Sequence, residues 1–289
     1  AGVNNTASAN SSSAFGYFNT AGGLASSAFG WSNTASAENA SAFGYVNEAS
    51  GLASSALGFR NKAANENASA VGYGNNAGGV ASSAFGFSNV AKVDYASAFG
   101  YSNEASGLAS SAVGFRNKAA SENASAVGYG NNANALAASA VGYNNTAGGV
   151  GSSTIGYNNT ATNENASAFG YGNTAGGLAS SAFGFSNTAS GDNANAFGYN
   201  NIASGSKSNV FGTGNTVSGS SSTAVGTANE VAAENSTAIG NNNTISAGAE
   251  NSAALGNNIS ISLKDSVALG NNSTATAINS VTGNSSYTK

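Results

Sequence analysis

Glycine returns every fourteen residues, from Gly2 through Gly16, Gly30, Gly44, Gly58 and Gly72 to Gly240, eighteen times in one register. Gly256 and Gly270 follow after one two-residue insertion, so nearly all of the 289-residue chain is one short unit repeated. Repetition on that scale fixes the fold class before any propensity argument, because each unit must stack on copies of itself. Fourteen residues are too few for a helix pair or a propeller blade. They suit one coil of a narrow β-solenoid: two strands of about five residues joined by two tight turns.

Ser41-Ala42-Phe43-Gly44-Tyr45-Val46-Asn47-Glu48-Ala49 shows the unit. Asn recurs three after the glycine (Asn5, Asn19, Asn33, Asn47, on to Asn243), and Ala five after it, giving way to Val217, Val231 and Ile245. Ala42 and Ala49 are half a period apart, which makes each coil two similar half-turns with opposed small side chains. Stacked at about 4.8 Å, some twenty coils would form a rod on the order of 90–95 Å long. Equivalent positions then become ladders. The asparagines are expected to bond amide to amide, and to supply left-handed backbone at a turn. In a Thr-rich ladder holding Thr20, Thr34, Thr146, Thr160, Thr174 and Thr188, Glu48 precedes Lys62 and Glu104 precedes Lys118 by one coil, as ion pairs would.

A chain rich in Asn, Ser, Gly and Ala with 7% charged residues has the composition of low-complexity disorder. Spacing overrules composition, since disorder has no reason to keep Gly, Asn and an aromatic in phase. Cys, His, Met and Pro are absent, which removes thiolate, imidazole and soft-metal chemistry, and no cofactor is expected. A net charge of −4 argues against a nucleic-acid partner or a basic membrane-binding face. Opening inside a coil and lacking a bilayer-spanning run, the chain is expected to be a piece of something longer with no membrane contact of its own.

Along Ser-Ala-Phe-Gly-Tyr, side chains alternate between faces, and neither face carries a charge in any copy through Gly198. One face can fill the roll. The other leaves an apolar stripe longer than a monomer normally exposes, so partner chains are its expected cover. Small residues inside and aromatics between chains is the favoured arrangement, because a narrow coil has little room for paired rings. Six before the glycine, apolar and acidic residues alternate (Leu24, Glu38, Leu52, Glu66, Val80, Asp94, Leu108, Glu122), while Phe or Trp alternates with Tyr one after it. That co-variation suggests a tyrosine hydroxyl serving each carboxylate.

Asn251-Ser252-Ala253-Ala254-Leu255-Gly256, Asp265-Ser266-Val267-Ala268-Leu269-Gly270 and Asn235-Ser236-Thr237-Ala238-Ile239-Gly240 resemble the Asn-Ser-Val-Ala-Ile-Gly-x-x-Ser repeat of the YadA-like head domain of trimeric autotransporter adhesins. Upstream coils depart from it with Phe, Tyr and Ser where the family favours aliphatics. The resemblance implies an all-β fold: a left-handed parallel β-roll, a solenoid with a single strand pair per coil, assembled as a side-by-side homotrimer. Residues 1–283 would form the head, Asn279–Thr282 being a last half-coil, and 284–289 a tail towards a neck whose signature is absent. It further implies a cell-surface, extracellular location on an outer-membrane-anchored fibre, with host matrix proteins or receptors, abiotic surfaces or neighbouring bacteria as partners.

Two other β-solenoid functions are weighed against adhesion. A carbohydrate-active enzyme needs clustered acids and bases, whereas Glu38, Glu66, Asp94 and Glu122 stand two coils apart and no catalytic residues are expected. An ice-binding face needs an unbroken Thr ladder, which Glu48, Lys62, Asn76 and Val90 interrupt. No metal site is expected either, the Gly-Gly-x-Gly-x-Asp calcium pattern being missing. Candidate ligand-binding residues are Arg60 with Lys62 and Arg116 with Lys118, two cationic bands four coils apart.

Overall fold

The computed structural model describes residues 2–276. They fall into two compact units, Ala1–Asn144 and Asn145–Lys289, and the described part of each is built from the same coil. The half-coil expected at Asn279–Thr282, the end of the 1–283 head and the 284–289 tail lie outside the described residues.

Each coil pairs one long strand with one short one. Ser41–Tyr45 forms the long strand, the chain bends at Val46, Glu48–Ala49 forms the short strand, and a turn over Gly51, Leu52 and Ala53 leads into Ser55–Phe59. The two strands are therefore unequal rather than both five residues long. Asn47 accounts for the difference, since its side-chain amide bonds to the long strand's carbonyls where a longer second strand would need backbone. Pairing is parallel and one coil apart throughout each unit: Ser41 lies beside Ser55, Gly44 beside Gly58 and Tyr45 beside Phe59, and in the second unit Ser167 beside Ser181 and Gly170 beside Gly184. Among the described residues there are strands and no helix.

Left-handed backbone recurs every seventh residue, as at Asn39 (φ 59°), Val46 (55°), Ala53 (52°), Arg60 (54°) and Asn67 (55°) in the first unit. Ala179 (51°), Ser186 (54°), Asn193 (57°), Asn200 (55°) and Lys207 (58°) repeat it in the second. The two half-turns expected from the alanine spacing are thus present in the backbone. The ladder asparagine, however, is not the left-handed residue; its predecessor is. A branched Val46 held there is strained, and persists because the coils above and below dictate the bend. The two-residue insertion is absorbed in one turn, between Asn242 and Asn251, where Gly248 adopts φ 89°, and Gly240 still pairs with Gly256.

Inside the roll lie the small residues, as favoured by the narrowness of the coil. Ala42, Ala49, Ala56 and Ala63 are fully buried, whereas Phe43 and Tyr45 are each 37% exposed. From Val210 the second unit enlarges this interior with Val217, Val231, Ile245, Ile259 and Ile261. Asparagine occupies one edge of it. Asn33 Nδ2 donates to Asn19 Oδ1 (2.9 Å), Phe29 O (2.9 Å) and Gly44 O (2.7 Å), while its Oδ1 accepts Asn47 N (3.0 Å) and Nδ2 (2.9 Å). The expected amide ladder is therefore buried and fully bonded, and it ties each coil to both neighbours. The coil glycine is required beside it: at Gly44 φ is +119° and a Cβ would lie 2.2 Å from Gly58 O.

A second glycine pattern marks alternate coils. Ser54 Oγ accepts Gly51 N and Ser110 Oγ accepts Gly107 N, each at 3.1 Å, in buried turns where the intervening coils carry Ala68 and Ala96. A Cβ on Gly51 would lie 1.9 Å from Asn65 O, so this turn as built excludes any larger residue at Gly51. Gly-x-x-Ser alternates with other turns from Gly23 to Ala124, giving a two-coil repeat there, and the alternation lapses at Ala124 and Ala138 and again at Ser208, Ser222 and Ser236.

Candidate functional site

Long strands present three outward columns, Ser, apolar and aromatic, on either side of the inward Ala and Gly. The apolar column includes Phe29, Phe43, Leu57, Phe85 and Phe99, and the aromatic column Trp31, Tyr45, Phe59, Tyr73, Phe87, Tyr101, Phe115 and Tyr129. Rings of the aromatic column stack coil on coil, with Tyr45–Phe59 centroids 4.8 Å apart at 3° and Phe59–Tyr73 4.7 Å apart at 6°. The second unit repeats this at Tyr157–Tyr171 and Tyr171–Phe185, both 4.8 Å. Ring faces are spent on one another, and water meets ring edges and tyrosine hydroxyls.

This geometry corrects the hydroxyl–carboxylate reading of the alternation. Among the described residues no tyrosine hydroxyl donates to Glu38, Glu66, Asp94 or Glu122, because the acids sit in the turn before the long strand and the tyrosines at its far end. Asp94 Oδ1 instead accepts Val80 N (2.8 Å), and Asp192 Oδ1 accepts Leu178 N (3.0 Å), one coil earlier. The aspartates thus bond to the backbone of the preceding apolar coil, while Glu66 accepts from the adjacent Asn67 side chain (3.4 Å).

The four cationic candidates occupy one edge of the first unit. Arg60 and Arg116 stand at left-handed bends, φ 54° and 53°, and are exposed. Their guanidinium carbons lie 5.2 Å from the Phe59 ring centroid and 5.1 Å from that of Phe115, a contact at the ring margin because both faces of each ring are covered by stacked neighbours. Lys62 Nζ is 3.2 Å from Glu48 Oε1 and Lys118 Nζ 4.0 Å from Glu104 Oε2, the rung-to-rung pairs expected from the spacing. Half-exposed as they are, such pairs contribute at most about 1 kcal/mol. The bands therefore divide by chemistry: both lysines are partly neutralised, and neither arginine has an ion-pair partner among the described residues. The signal that could have separated them was in the sequence, where each Arg directly follows a Phe and each Lys lies one coil after a Glu.

Fold and surface together define a parallel β-solenoid that displays one set of side chains coil after coil. The model for the YadA head domain repeat, written for two copies, matches residues 21–46, 49–75, 77–103, 105–131, 147–173, 175–201, 218–243 and 264–281. The chain belongs to the YadA head family, whose members are adhesin heads. Matches beginning at 49, 77 and 105 advance by two coils, in step with the Gly-x-x-Ser alternation. No curated protein matches the chain.

Proposed function

We propose that the chain is the head of a trimeric autotransporter adhesin, held on an outer-membrane-anchored fibre at the cell surface. Three left-handed rolls lie side by side over residues 1–283, with 284–289 leading towards a neck. The observation that carries the assembly is the apolar column one before the coil glycine. Phe43 (37%), Leu57 (38%) and Phe99 (37%) are exposed in the first unit, and Ile155 (45%), Phe211 (41%), Ile239 (43%) and Leu255 (42%) in the second. The aromatic column does not persist in this way, giving way to Thr213, Thr227, Asn241 and Asn257. A face that must stay dry in every coil is served by the first column, and we place the sister chains there. Phe99→Asp combined with Val113→Asp is expected to convert the trimer to monomer and cut attachment to a coated surface at least tenfold, since three repeated weak contacts act by avidity. Unchanged oligomeric state in size-exclusion light scattering would remove this placement.

Host matrix proteins or receptors, abiotic surfaces and neighbouring bacteria are the targets such a head serves, and the Arg60, Lys62, Arg116 and Lys118 bands are the proposed contact. Reversing all four charges to Glu is expected to weaken attachment several-fold while lowering the melting temperature only slightly, because the half-exposed pairs to Glu48 and Glu104 become weak like-charge contacts. A screen of matrix proteins, receptors, bare plastic and bacterial cells reads the result; attachment at the unmodified level to all of them would discard the bands.

A further inference from the structure

The two arginines frame a stretch of surface with its own character. Between them, the bend column holds only Gly74, Ser88 and Ser102. Beside it run the stacked rings of Phe59, Tyr73, Phe87, Tyr101 and Phe115, spaced 4.7, 4.8, 4.9 and 4.8 Å. Four such steps place the guanidiniums about 19 Å apart, since both lean on equivalent rings. The acids of the alternating series, Glu66, Asp94 and Glu122, lie six or more residues from the bend column in the opposite turn, and Glu48 and Glu104 are answered by Lys62 and Lys118, so this edge keeps the two arginine charges although the chain as a whole carries −4.

Three features specify a ligand. Two free guanidiniums at a fixed interval select planar anions held bidentately, which carboxylates satisfy. In the bend column only two cations stand in four coils, and Lys62 and Lys118 beside them are paired with glutamates, which disfavours a densely charged polymer near a net-negative chain. A floor of glycine and serine leaves room for a flat chain and offers hydroxyls to it. Ring faces are occupied by stacking, so the rings supply an apolar wall of edges and not a platform for a conjugated dye.

We infer that this edge binds a linear polysaccharide bearing one carboxylate per disaccharide, with carboxylates two repeats apart on Arg60 and Arg116 and the intervening sugars along Gly74, Ser88 and Ser102. The inference rests on the reading of the cationic bands as the contact and names the ligand class for it. In an extended chain of this kind a disaccharide advances about half the arginine interval, so every second carboxylate is in register. Lys62 and Lys118, paired with Glu48 and Glu104, hold the flanks near neutral and leave charge recognition to the arginines.

Hyaluronan oligosaccharides long enough to span the interval serve as the probe, titrated by biolayer interferometry onto the intact protein at low ionic strength. Arg60→Ser or Arg116→Ser is expected to weaken binding about tenfold, the loss of one charge-assisted bidentate pair. Arg116→Ser with Ser102→Arg keeps the charge but shortens the interval by one coil, and is expected to bind as weakly as Arg116→Ser alone. Methyl-esterified hyaluronan is expected not to bind. Equal binding by the register-shifted variant, binding of the ester, or no binding by the unaltered protein would each overturn the inference. If reversal of all four charges lowers surface attachment while hyaluronan does not bind, the adhesive bands stand and this ligand falls. Circular-dichroism melts of every variant show that the coils remain folded.

Discussion

Asn103→Ala is expected to destabilise the first unit by roughly 3–5 kcal/mol, each orphaned buried group costing about 1–3 kcal/mol. Asn103 Nδ2 donates to Asn89 Oδ1 (3.0 Å), Phe99 O (2.8 Å) and Gly114 O (2.7 Å), and its Oδ1 accepts Asn117 N (2.9 Å) and Nδ2 (3.0 Å). Alanine satisfies none of these and leaves a void too apolar on one side and too polar on the other to fill. In a stack whose coils contact only their neighbours the damage is local, so amide exchange should accelerate around residues 89–117 before it changes elsewhere. Asn103→Asp is expected to be nearly as costly, because a carboxylate cannot donate to the two carbonyls. An unchanged melting temperature for Asn103→Ala would mean that the ladder does not hold the coils together.

Gly100→Ala is expected to cost at least about 3 kcal/mol, backbone strain in this region alone amounting to 1–3 kcal/mol. Its φ is +117° and an added Cβ would lie 2.1 Å from Gly114 O and 3.1 Å from Asn103 Nδ2, so the next coil must move away and the asparagine with it. Gly74→Ala is the matched control. There φ is +64° and the nearest atom to a Cβ is Ser88 Oγ at 3.6 Å, so the cost should be about 1 kcal/mol, that of a left-handed alanine. Thermal or denaturant melts of the two variants measure the difference, and equal costs would contradict the close coil-to-coil approach.

The fourteen-residue coil, its parallel register and the inward alanines follow from the glycine spacing, because a stack tolerates only repeating shapes. So do the Glu48–Lys62 and Glu104–Lys118 pairs, which need nothing beyond register. The unequal strands were not legible, since Asn47 looks like a turn former and acts instead as a buried donor that shortens the second strand. The alternation of acid with tyrosine misled for a related reason: two columns can vary together through a two-coil turn type, set by Gly51 and Ser54, without touching. At the candidate site, position was legible and chemistry was not. Arg60 and Lys62 read alike as cations, and only the ring beside one and the carboxylate beside the other separate them.

Beyond the single roll, the account stands on an outward apolar column that needs sister chains to keep it dry. Sedimentation equilibrium of the purified protein under mild conditions tests this most directly. The expected result is one species at three times the 27.8 kDa chain mass, stable on dilution. A soluble, folded monomer at that chain mass would contradict it.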